Sequence, residues 1–133
     1  MRKGELPLHL TSLELFNNKI INIDISAQRN LRKINLSSNK IATIDLSQNM
    51  NLTSLELARN PIEKVDFSSQ GKLLNLDLSH IDLAGVDISN MKQLQNLNLK
   101  HNKIDFINLT HNQLLKSIDL EHNNLVNLSL NHL

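Results

Sequence analysis

Leu31-Arg32-Lys33-Ile34-Asn35-Leu36-Ser37-Ser38-Asn39-Lys40-Ile41 returns 21 residues later as Leu52-Thr53-Ser54-Leu55-Glu56-Leu57-Ala58-Arg59-Asn60-Pro61-Ile62. The shared frame, Leu-x-x-Leu-x-Leu-x-x-Asn-x-Ile, starts at Leu10, Leu31, Leu52, Leu73, Leu94 and Leu115 without insertion or deletion. Counted from those leucines, the first, fourth, sixth, eleventh, fourteenth and sixteenth positions are apolar in every coil. All 36 of them hold Leu, Ile, Val or Phe. In a chain with 40% hydrophobic residues, chance does not do this. A fixed period of about 20 residues marks a stack of repeated units.

The Leu-x-Leu alternation has period two, the mark of a strand with one buried face. It recurs in the second half of each coil, which is too short for a helix. We therefore expect a solenoid, rich in β-structure, of six 21-residue coils. A main strand falls near positions three to seven, and a short strand or extended segment near thirteen to sixteen. Coils of this kind share one interior and stack about 4.8 Å apart. Residues 10–133 form the array, and residues 1–9, with Leu6, Pro7 and Leu8, form an irregular cap. The sixth coil runs to Leu133 with no change of pattern. Two readings of that end are open, a stretch of a longer array or end-to-end self-association through the bare coil.

At the ninth position the chain turns inward and leaves backbone groups without partners. An amide side chain can satisfy them and bridge to the next coil. Asn18, Asn39, Asn60, Asn102 and Asn123 fill this position, and Ile81 interrupts it in the fourth coil. Ten residues on, Gln28, Asn49, Gln70 and Asn112 repeat the theme, with Met91 the interruption. The fourth coil should be the least regular.

These residues resemble the leucine-rich-repeat family, and the 21-residue period with a second half such as Ile44-Asp45-Leu46-Ser47 is similar to its short subclass found mainly in bacteria. The likeness runs from Leu10 to Leu133. It implies a parallel sheet on the concave side, with the first strand of each coil facing a partner.

Composition removes several classes of function. Fourteen Lys and Arg against thirteen Asp and Glu give no sign asymmetry that would point to nucleic acid or an anionic membrane. No cysteine exists for a disulfide, a thiolate metal site or a thiol nucleophile. No apolar window approaches membrane-spanning length, and the start has no signal-peptide pattern, so a cytoplasmic home is the simplest expectation. Three glycines supply no phosphate loop, and no His-Glu-x-x-His occurs. We expect no enzyme and no cofactor.

In-register stacking turns each exposed position into a column. The face made by positions two, three, five and seven is polar and mildly acidic along its centre. We expect a protein-binding scaffold whose contact residues include Glu14, Arg32, Lys33, Glu56, Arg59, Leu74, Asp77, Lys100 and Asp119. The competing readings are an array without a dedicated ligand and a glycan-binding surface, the latter weakened by the lack of Tyr and Trp. His80, His101 and His122 share the eighth position, and His111 and His132 share a place in the second half. A linear column diverges where zinc wants ligands converging on a point, so a tolerated turn residue is the expected reading. Asp24, Asp45, Asp66 and Asp87 form another column, read as structural because calcium needs six or more oxygens around it.

Overall fold

The computed structural model describes residues 5–128. Six parallel strands, β1 (Ser12–Glu14), β2 (Lys33–Asn35), β3 (Ser54–Glu56), β4 (Asn75–Asp77), β5 (Asn96–Asn98) and β6 (Ser117–Asp119), form one sheet in chain order. Each residue pairs with the one 21 positions on, as Leu55 does with Leu76. The chain is a parallel β-solenoid, and the described residues contain no helix.

The strands are shorter than the expected positions three to seven. Inter-coil backbone bonds do continue past them, from Ser38 N to Ala58 O (2.8 Å) and from Arg59 N to Ser79 O (3.1 Å). At the eighth position, however, the chain turns through the left-handed region in every coil: Asn17, Ser38, Arg59, His80, His101 and His122 have φ between 55° and 59°. A non-glycine residue there is uncommon, with Asn and His among the better tolerated. The second half of each coil is extended, with one isolated bridge, Thr43 to Lys64, in place of a second ladder. Consecutive tight turns then return the chain to the next strand, as in Asn49 N to Leu46 O and Leu52 N to Asn49 O.

Central strand residues Ile34, Leu55, Leu76 and Leu97 point into a single interior with Leu31, Leu52, Leu73 and Leu94. No coil could bury these alone, so stability is a sum over coil-to-coil contacts. Each such leucine removed from water contributes about 2 kcal/mol. Leu6 packs against the first coil from the N-terminal side, and Gln28 Nε2 donates to its carbonyl at 3.1 Å. Residues 129–133, which include Leu130, His132 and the chain's last residues, lie outside the described part.

Amides fasten one coil to the next. Asn60 Nδ2 donates to Leu36 O (2.9 Å) in the preceding coil and to Leu57 O (3.0 Å) in its own, while its Oδ1 accepts from Ile41 N (3.0 Å). Asn39, Asn102 and Asn123 repeat this arrangement. Asn18 reaches only carbonyls of its own coil. Ten residues on, Asn49, Gln70 and Asn112 each donate to two backbone carbonyls of the coil before.

The seam between the third and fourth coils lacks both rungs. Ile81 and Met91 are buried there, and their side chains have no amide to reach the third coil. Every other seam also has a backbone bond near the eleventh position: Lys40 N to Ile20 O, Glu63 N to Ala42 O, Lys103 N to Leu83 O and Asn124 N to Ile104 O. Among the described residues none crosses from the fourth coil to Ile62, whose N–H also makes no hydrogen bond. Asp82, beside Ile81, has a φ of 64° that no other coil shows at that position.

Candidate functional site: the sheet face

The pleat sends the third and fifth positions outward. The fifth-position column holds Glu14, Asn35, Glu56, Asp77, Asn98 and Asp119, neighbours through the sheet register. Not all of these are free for a partner. Asp77 Oδ1 accepts from Ser79 N at 2.9 Å and Asp119 Oδ1 from Glu121 N at 3.0 Å, as Asn35 and Asn98 do in their coils. A short side chain here therefore serves its own turn with one oxygen, leaving the second carboxylate oxygen of Asp77 and Asp119 outside that bond. The longer Glu14 and Glu56 make no such bond.

Glu14 instead pairs with Lys33 at 3.1 Å across β1 and β2, and Lys100 pairs with Glu121 at 3.2 Å. Both pairs are substantially solvent-exposed and add little to stability. Glu56 is the carboxylate under stress. Partial burial pushes its pKa up, and the neighbouring Asp77 and Glu14 charges push it further, against a smaller pull from Lys33. Arg32 is exposed, and Leu74 is half-buried beside Gln95 in the second-position column. The structure thus brings Glu14, Lys33, Glu56 and Asp77 onto adjoining strands, with Asp119 two strands beyond Asp77.

Arg59 and Lys100 stand toward one edge of that face. Arg59 Nη2 lies 3.2 Å from His80 Nε2, and the rings of His80, His101 and His122 stack at 4.3 Å between centroids, nearly parallel. Rings tilt closer than the roughly 4.8 Å spacing of the strands themselves. Desolvation lowers the pKa of His80, helped by Arg59 and Lys100; desolvation also lowers that of His101, helped by His122 and His80. A parallel stack sets imidazole nitrogens side by side rather than around a common centre. Among the described residues no group of three His, Cys, Asp or Glu could hold a metal ion.

Along the other side, Asp24, Asp45, Asp66 and Asp87 each accept from the N–H two residues on, at 2.9 to 3.0 Å. Hydrogen bonds from Ser26, Ser47, Ser68 and Ser89 hold these carboxyls below the ordinary aspartate range. The carboxylate accepts and the serine donates, so this column shapes turns.

Sequence reasoning missed that the eighth-position turn is left-handed in every coil, and it missed the opening at the third seam. His80, His101 and His122 hint at a turn there, but Ser38 and Arg59 at the same register position carry no such signal. The opening follows from Ile81 and Met91 together, the two interruptions that mark the fourth coil as the least regular.

The fold and its polar face define a class, a parallel solenoid of short repeats presenting one sheet to solvent. Residues 27–47 and 48–65 match the family model described as Leucine Rich repeat. This match and the structural likenesses are consistent with a leucine-rich-repeat protein of bacterial type. Among solved structures the chain is similar to the functional domain of InlJ from Listeria monocytogenes, which includes a cysteine ladder, at 33% identity and a TM-score of 0.89 over 92% of this chain and 28% of that one. It is also similar to a leucine-rich-repeat protein of Leptospira interrogans, at 27% identity and a TM-score of 0.83, over 90% of this chain and 33% of that one. Internalin C2 of Listeria monocytogenes gives 28% identity and a TM-score of 0.78, over 85% of this chain and 52% of that one. The chain thus spans between 28% and 52% of the length of these proteins. No curated protein matches its sequence. Proteins of this family, internalins among them, are typically protein-interaction scaffolds and generally non-enzymatic. No helix among the described residues is long and apolar enough to cross a membrane.

Proposed function

We propose that the sheet face is a protein-binding surface that takes a basic, extended segment, with Glu56 at its centre. The observation that carries this reading is the crowding of carboxylates on β1, β3 and β4. Glu56 is held partly buried with Asp77 on one side and the charge of Glu14 within range, and its pKa rises accordingly. An incoming Lys or Arg relieves that repulsion and finds an acceptor with no bond to its own turn. Arg32, Lys33, Lys100 and Leu74 border the segment and set its register, Asp119 extends the acidic lane to β6, and Arg59 closes the edge beside His80. Residues 5–9, the described part of the segment 1–9, serve as the cap of the array that starts at Leu10. A complementary charge pattern of this kind governs specificity and association rate more than affinity.

The test is titration with a synthetic twelve-residue peptide alternating Lys and Ser. Glu56→Gln with Asp77→Asn should weaken binding about tenfold, a size in keeping with loss of charged partners. Asn35 and Asn98 already hold the fifth position, so thermal unfolding should barely move. Equal binding by this variant, or equal binding of an alternating Glu and Ser peptide, removes the proposal.

A further inference from the structure

The third seam is open on the side opposite the sheet. There the structure has a cavity of about 360 Å³, with a floor of Ile62, Phe67, Leu78, Ile81, Leu83 and Val86. β3 and β4 remain fully paired on the sheet side, so the coils separate only where the amide rungs are missing. Gly85 stands at the mouth with no side chain. A Cβ built on Gly85 meets nothing within 4 Å. In the next coil the position of Gly85 is taken by Phe106, which stands 69% exposed. Glu63, Lys64, Asp66 and Asp87 form the rim, three carboxylates against one ammonium, in a chain whose overall net charge is +1.

We propose that this cleft binds a small amphipathic cation, with an apolar body of about a dozen heavy atoms on the floor and an ammonium at the acidic rim. The size follows from the volume, taking roughly 30 Å³ for each water-sized group. A recess of ~300 Å³ or more with an apolar floor and a few polar groups at its edge is the usual form of a small-molecule site. The head-group preference follows from the rim. Hydrogen bonds from Ser68 and Ser89 keep Asp66 and Asp87 ionised well into mildly acidic solution. One oxygen of each carboxylate holds its own turn, which leaves the other for the ligand. This site lies away from the sheet face, and its occupancy is independent of the reading proposed for that face.

The probe is 1-naphthylmethylammonium, whose fluorescence is unobscured because the chain has no Trp and no Tyr. Saturable one-to-one binding is expected, with a dissociation constant on the order of a millimolar or tighter. Methyl resonances of Val65, Leu83 and Val86 should shift while those of Leu13 and Ile34 stay fixed. Gly85→Phe should weaken binding at least about tenfold, since the ring closes the mouth. Unchanged thermal unfolding should show that the coil itself is intact. Exchanging Glu63, Asp66 and Asp87 together for Gln, Asn and Asn should abolish the preference over 1-naphthoate. The turns survive that change because Asn108 already makes the same bond to Thr110 N at 3.0 Å.

The proposal is overturned by undiminished binding in Gly85→Phe, by equal affinity for 1-naphthoate, or by shifts centred on the sheet face. It is equally overturned if the amine fails to saturate while the tripeptide Lys-Phe-Lys binds, because the occupant is then a protein segment.

Discussion

The second and third seams of this solenoid have the same strand register and different fastenings. Across the second, Asn60 and Gln70 together make four hydrogen bonds to backbone groups of the preceding coil. Across the third, the equivalent side chains are Ile81 and Met91, and the backbone bond near the eleventh position is missing as well. Yet β3 pairs with β4 as completely as β2 does with β3. The sheet alone therefore sets the register of the stack, and the amide ladders set how tightly its far side closes. Apolar contact replaces the lost rungs in part, since Ile81 is 4% exposed and Met91 fully buried. It cannot satisfy Ile62 N–H.

The largest test copies the third seam into the second. Asn60→Ile leaves Ile41 N, Leu36 O and Leu57 O without their side-chain partners. It should cost about 3 kcal/mol, as breaking a buried network does, read by urea unfolding. A loss under about 1 kcal/mol would show that the rungs add nothing beyond the sheet.

The reverse exchange, Ile81→Asn, should slow amide hydrogen exchange at Ile62 about tenfold, toward the rate of Ile41, because the restored Oδ1 accepts from that N–H. Its effect on global stability should stay within about 1 kcal/mol, since lost apolar burial offsets the new bonds. Unaltered exchange at Ile62 would sink the account of the seam.

A smaller effect comes with acid. Arg59 and His80 face each other across the third seam, with Lys100 adding positive charge and Asp77 offsetting it. The folded pKa values of His80 and His101 are depressed, so the unfolded chain takes up protons first. Stability is then fully present above the unfolded histidine pKa of about 6.5 and declines as pH falls from there through the folded values. His80→Asn, which keeps a residue tolerant of the left-handed turn, should flatten the fall in melting temperature between about pH 7 and 5. A profile identical to the parent's would remove Arg59 and His80 from the explanation.

The smallest is Gly71→Ala. Its Cβ would lie 3.6 Å from Asn90 Nδ2 in ordinary contact, on a backbone that is not left-handed. A gain of about 0.4–1 kcal/mol is expected from the stiffer unfolded chain, measured by thermal unfolding. A loss would mean that Asn90, which bridges this seam to Ser68 O at 2.6 Å, has no room to give.

Much of this was legible in the sequence because period and polarity are enough to fix coil register. The leucine columns, the sheet and the irregular fourth coil all follow from spacing. The eighth-position turn was not legible, because Asn17, Ser38, Arg59 and His80 share a backbone angle without sharing a chemistry. The division of labour among carboxylates was hidden for a related reason. Asp77 and Glu56 occupy the same column, but one methylene decides which of them reaches its own backbone. The cleft needed three coincident features, Ile81, Met91 and the bare backbone at Gly85, and no periodic pattern reports a coincidence.

The coils are joined in series, so a pull applied to the two ends of the stack loads every junction with the same force. The junction with the fewest fastenings yields first, and among the described residues that is the one closed by Ile81 and Met91. Under tension the described coils should part there, between stretches that each keep their own ladders.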